Sequence, residues 1–294
     1  MSDIKVIENK EFHEERALFH EKNLLVKGCT FGTGESPLKE SSDIEIEDSR
    51  FLWKYPLWYA KNIKVHGGED GGRAGIWYTD NIEMTDTVVT APKNFRRCTG
   101  VTLTNVSFPD AQETFWSCKD ARLKNVSVEG DYFAMNCENL EVDHLTLNGN
   151  YGFDGCKNIT IRNSVLNTKD AFWNCENVTV YDSKIIGEYF GWNSKNVTLI
   201  NCSISSLQGL CYIENLVMKN CTLPETVLAF EYSNNMDVEV KGKVESVLNP
   251  GIGMIRVDEI GTLIISEDRE ESLATEIICD KIDDRQKEVD WNSI

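Results

Sequence analysis

The residues of this sequence best equipped for chemistry are its tryptophans. Trp58, Trp77, Trp116, Trp173 and Trp192 fall on one series of positions spaced by 19 or 20 residues, and Arg96, Met135 and Asp154 fill the places between them. Polar or aromatic groups follow directly at Tyr59, Tyr78, Arg97, Asn136, Asn174 and Asn193. An aromatic ring offers a flat apolar surface to the C–H face of a sugar, while amides, guanidinium groups and carboxylates bond its hydroxyls. Trp58, Trp77, Arg96, Trp116, Trp173, Asn174, Trp192 and Asn193 are therefore read as a strip that contacts an extended saccharide. Two other uses compete: rings that pack only on one another, and a protein-interaction face, where Trp and Tyr are also favoured.

A second group of reactive residues lies in HGGEDGGRAG, residues 66–75. Gly68 and Asp70 stand there where the surrounding pattern calls for an inward apolar pair. The segment is read as a glycine-rich loop carrying His66, Glu69, Asp70 and Arg73 beside Trp58 and Trp77. Paired carboxylates with an arginine and a histidine serve acid–base work or hold a metal ion. Glu69, Asp70 and Asp154 are thus the candidate catalytic groups, with Arg73 as a binding group. A solvated acidic loop is the competing reading. In a glycoside hydrolase two such carboxylates must stand roughly 5–10 Å apart. GEDGGR lacks the GK[ST] ending of a phosphate-binding loop, and no cofactor motif is present.

The elements that must hold these residues follow from a repeat. Asn23, Asp43, Asn62, Asn81, Gly100, Asp120, Asn139, Asn158, Asn177, Asn196, Asn215 and Asn235 succeed one another at intervals of 19 or 20 residues. Asn, Asp and Gly tolerate left-handed backbone angles, so this column reads as a tight bend repeated in register. The residues one and three after each anchor are apolar, as in Ile159 with Ile161 and Val178 with Val180, and period 2 puts both on one face of a strand. A second apolar pair follows after another Asn, Asp or His, as in Val126 with Val128. Short strands between bends, with one face inward, predict a single-stranded, right-handed parallel β-helix of about twelve coils. Residues 22–240 form its regular coils, 1–21 an N-terminal cap, and 241–294 degenerate coils and a charged tail, all in one domain.

Five residues before each anchor stand Leu57, Ile76, Phe95, Phe115, Ala134, Phe153, Phe172 and Gly191, an apolar column read as interior. The neighbouring tryptophan column includes Arg96 and Asp154, charges that a core would not accept, and is placed outside. Two residues before the anchor, Cys98, Cys118, Cys137, Cys156 and Cys175 make a straight file of small side chains. A metal site needs converging ligands instead, so no metal ligand is assigned there and the thiols are read as free and buried.

Composition narrows the partners. Thirty basic residues against 48 acidic ones leave a net charge of −18, which repels nucleic acid and anionic lipid surfaces and leaves neutral or cationic ligands. The N-terminus lacks a basic region followed by an apolar stretch, and no run of about 18 apolar residues occurs. A cytoplasmic location without membrane insertion is the expectation. The N-x-[ST] sequences at Asn105, Asn125 and Asn158 among others arise from the repeat itself.

From residue 23 to about residue 240 the pattern resembles the pectin-lyase-like superfamily of right-handed β-helices, and within it a bacterial family of unknown function of similar length. That superfamily includes lyases, hydrolases, epimerases and adhesins. The resemblance brings no catalytic residue, because the NTD, Asp-pair, GHG and RIK segments of its hydrolases and the RxPxxR of its pectate lyases have no counterpart here. A carbohydrate-binding or carbohydrate-active protein is the leading expectation. The alternative is a non-catalytic scaffold that binds a protein partner or a second copy.

Overall fold

A computed structural model describes residues 4–272 and 274–292. The first three residues and the last two of the tail lie outside the described residues. The chain is a parallel β-helix, and it divides into two compact units, Met1–Gly149 and Asn150–Ile294.

In the first unit eight successive strands stack in parallel, each one turn after the last: Lys5–Glu8, Lys22–Lys27, Ser42–Glu47, Lys61–His66, Asp80–Thr85, Thr99–Phe108, Lys119–Glu129 and Glu138–Asn148. The second unit stacks seven in the same way, from Lys157–Arg162 to Ala274–Gln286. The turns thus number about fifteen among the described residues, against the twelve expected. The additional ones lie where caps and degenerate coils were expected. Lys5–Glu8 pairs in register with Leu24–Lys27, and Glu11–Phe12 pairs with Thr30–Phe31. At the other end Ile252–Ile264 and Ala274–Gln286 continue the stack without the Asn anchor. Strand pairing needs backbone partners and alternating burial, and both persist where the anchor residue changes.

The anchors bend as their chemistry requires: Asn62, Asn81 and Asp120 have φ of 53°, 58° and 56°. The residues one and three beyond them face inward, so Ile63, Ile82, Met84, Val101 and Leu103 are all but inaccessible. Each such side chain stabilises the fold by about 1.5–3 kcal/mol. The bend before the anchor is sharper. Phe95 and Phe115 take positive φ and so do Arg97 and Ser117, two residues further on. This double bend turns Phe95 and Phe115 into the core and leaves Arg96 and Trp116 outside it. The carbonyls of these phenylalanines accept a hydrogen bond from the small-residue column, and that of Phe95 takes the Trp116 amide as well. Cys118 Sγ donates to Phe95 O at 2.8 Å, Cys137 Sγ to Phe115 O at 3.0 Å, and in the second unit Ser194 Oγ to Phe172 O at 2.6 Å. At these turns the column holds Cys, Ser or Thr, small side chains that donate, whereas Ala60 and Ile213 occupy it without a donor. All ten thiols are free and nine are buried; burial pushes Cys175 up to about 12, which keeps it a thiol.

Candidate functional site

The tryptophan column lies outside the core in both units, and its rings are half-buried. Their arrangement differs from a flat platform. Neighbouring rungs lie about 4.8 Å apart, so side chains in one column stack face to face along it. In the first unit Trp77 and Trp116 take Arg96 between them, with the guanidinium carbon 5.6 and 5.0 Å from the two ring centres. A guanidinium is planar and replaces a ring in such a stack. Its charge is met by Glu113, which burial alone would raise but which Arg96 and Lys93 hold below the usual carboxylate range. Arg96 therefore belongs to the stack, whereas its sequence position led to the expectation of a free reader of hydroxyls. Trp58 contacts Tyr55, which in turn meets Trp77 edge-on at 4.9 Å. Arg73 is exposed and covers the Trp53 ring at 4.9 Å.

The predicted loop at residues 66–75 is a continuation of the coil. Glu69–Asp70 is a short strand paired with Arg50–Phe51 before it and Val88–Val89 after it. Alternation sends the two carboxylates to opposite sides. Glu69 faces outward and binds Arg50 at 3.2 Å, while Asp70 points into the core and is 3% exposed. They do not converge on one substrate. Asn94 makes the inward carboxylate tolerable: its Nδ2 donates to Asp70 Oδ2 at 2.7 Å, and its Oδ1 accepts the Ile76 and Phe95 amides at 2.8 Å each. The glycines make room for this network. A Cβ at Gly75 would lie 2.0 Å from the Asn94 side chain, and one at Gly72 would lie 1.5 Å from Trp53 O. Burial is the main influence that pushes Asp70 up to about 7.

In the second unit Trp173 and Trp192 stack at 5.6 Å with an 11° interplanar angle, so they spend their faces on each other. Tyr189 meets both steeply, at 65° and 66°, with ring centres 6.3 and 5.4 Å away. It lies alongside the pair, and its plane runs along the strip instead of across it. The aromatic series continues through Tyr212 and Tyr232. Asp154 Oδ1 accepts from Asn174 Nδ2 at 3.0 Å, and Asn174 Oδ1 accepts from Asn193 Nδ2 at 2.9 Å. The sequence therefore placed Asp154, Trp173, Asn174, Trp192 and Asn193 on one surface, and they adjoin.

Sequence reasoning missed the residues that complete this surface. Asp170 pairs directly with Tyr189 across adjacent strands. It is 3% exposed, and its Oδ1 has no hydrogen-bond partner among the described residues; neither has the buried Trp173 Nε1. Burial raises the Asp170 carboxyl, Lys169 opposes the rise, and the charges of Glu188 and Asp154 add to it. Further along, Gln208 Nε2 donates to Glu231 at 3.1 Å, and burial raises Glu231 as well. The signal was available in the column seven before the anchor, which reads Asp170, Tyr189, Gln208. Among the described residues no group of three or more His, Cys, Asp or Glu side chains is arranged to hold a metal ion.

Residues 5–278 match the family described as protein of unknown function, DUF3737. The chain belongs to this family. No curated protein sequence matches it. Among solved structures it is similar to a tailspike protein mutant of E. coli bacteriophage HK620 in complex with a pentasaccharide, at 7% identity and a TM-score of 0.39, covering 93% of this chain and 70% of that one. It is also similar to PfbA, a surface adhesin of Streptococcus pneumoniae, at 10% identity and a TM-score of 0.31, covering 92% and 71%. A third likeness is to the mannuronan C-5 epimerase A-module of Azotobacter vinelandii, at 10% identity and a TM-score of 0.26, covering 96% and 87%. Likenesses at this level carry no argument about this chain, and the DUF3737 family description assigns no chemistry.

Proposed function

We propose that the outer strip of the second unit binds a saccharide. One observation carries this reading: the Trp173 N–H and the Asp170 Oδ1, three residues apart on one turn, are a desolvated donor and acceptor without protein partners among the described residues. Each such group costs about 1–3 kcal/mol when left unpaired, and a hydroxyl-rich ligand offers both complements. The surroundings fit the same class. Tyr189 supplies a ring whose plane runs along the strip, Asn174 and Asn193 supply exposed amides, and Gln208 with Glu231 extends the polar edge. The tryptophans act here as edges and as support for Tyr189.

Isothermal titration against a panel of neutral and amino-substituted oligosaccharides tests this. Tyr189→Ala and Trp173→Ala are expected to weaken binding at least about tenfold, equivalent to about 1.4 kcal/mol, while melting remains cooperative. Binding that is unaffected by both substitutions, or absent across the panel, would sink the proposal.

A further inference from the structure

The polar partners around Asp170 narrow the ligand class. Building on the saccharide reading of this strip, we propose that the saccharide carries a free amino group whose ammonium sits on Asp170 beside the rings of Trp173 and Tyr189.

The reason is local charge. Glu188 and Asp154 act on the Asp170 carboxylate through space, and Lys169 opposes them. Lys169 is engaged with Glu188 at 3.1 Å. Asp154 is held by an uncharged amide, Asn174. Asp170 thus shares its one lysine with Glu188, has the charge of Asp154 near it as well, and keeps an oxygen without a partner among the described residues. A hydroxyl would fill that oxygen and leave the excess charge in place. An ammonium fills it with one of three donors and offsets the charge as well. The rings favour the same species. Tyr189 is the strand partner of Asp170, and its ring lies beside that of Trp173; aromatic rings attract a cation held next to them. A net charge of −18 adds a field that draws cations in.

The experiment compares a fully deacetylated glucosamine oligomer with its N-acetylated counterpart, by titration at mildly acidic pH and near-physiological salt. The expected result is at least about tenfold tighter binding of the amine form. In Asp170→Asn, which keeps the shape and removes the charge, the ratio of the two affinities falls to about one. Melting of the variant establishes that it is folded, and the exposed Glu188→Gln provides a second variant in which the ratio must also shrink. A ratio that survives in both variants would mean diffuse attraction to an acidic protein and overturn the assignment. Equal affinity of the parent protein for both oligomers would overturn the amine while leaving the saccharide reading intact. Failure of either oligomer to bind, with a neutral saccharide elsewhere in the panel binding, would have the same effect. No binding by any saccharide ends both.

Discussion

Asp70 occupies a column in which the turns on either side carry Phe51 and Val89. Its carboxyl is pushed up to about 7, first by burial and also by the charge of Glu69, against the hydrogen bond from Asn94 and the Gly72 amide. A carboxyl raised on folding holds its proton longer in the folded chain than in the unfolded one. The stability it contributes is complete below the unfolded value near 4 and is lost as pH climbs through about 7. The loss is on the order of 4 kcal/mol at most. Urea denaturation at about pH 4 and about pH 7 is expected to show the parent protein losing more stability than Asp70→Asn over that interval. Equal losses would mean that Asp70 does not titrate there. Arg96 permits a second test at this scale. Arg96→Lys keeps a cation for Glu113 but removes the planar group between Trp77 and Trp116. A loss of about 1 kcal/mol is expected from denaturation, and an unchanged midpoint would show that charge alone matters.

The bends form elements of their own, built from asparagine side chains bonded along the stack. Asn81 Nδ2 donates to Asn62 Oδ1 at 3.0 Å and Asn62 Nδ2 to Asp43 Oδ1 at 2.9 Å. Asn125 donates to Asn105 and Asn105 to Asp86, and in the second unit Asn220 to Asn201 and Asn201 to Asp182. Each of these ladders starts on an aspartate, and every amide donates toward the N-terminal side. A carboxylate has only acceptors, so it suits the first place and no later one. The contrast is testable. In Asn177→Asp the new carboxylate would confront Asn158 Oδ1, to which Asn177 now donates at 2.8 Å, and a loss of about 1–2 kcal/mol is expected. Asp182→Asn leaves an acceptor for Asn201 and should change stability by less than about 0.5 kcal/mol. Equal effects of the two substitutions would remove the polarity argument.

At the scale of the whole molecule, each unit is a stack in which a turn pairs with the turns before and after it, so its stability is a sum of nearest-neighbour terms. Removing residues 196–214, one complete period of 19, joins Lys195 to Asn215 with every column still in register. The shortened chain is expected to keep a cooperative transition and a β-rich circular dichroism spectrum. Removing ten residues from the same place shifts inward side chains out of their columns and should prevent folding. If both deletions behave alike, the columns do not hold the fold together.

The period, the number of columns and the inward or outward sense of most positions were determined by sequence alone. A parallel stack with a nearly constant turn length makes residue i and residue i+19 neighbours, so spacing in the chain becomes adjacency in space. That is why spacing alone assembles Trp173, Trp192, Asn174 and Asn193 on one surface. Only the tertiary structure decided which way their planes face. Ring orientation depends on side-chain torsions set by the groups above and below, and these turn Trp173 toward Trp192 and leave Tyr189 alongside them. It also decided the fate of Asp70. The repeat points that position inward, and a bare carboxylate there would break the strand, but Asn94 in the following turn supplies the bond that lets the strand continue. The unfilled oxygen of Asp170 belongs to the same class of fact, since partners depend on which groups meet in space.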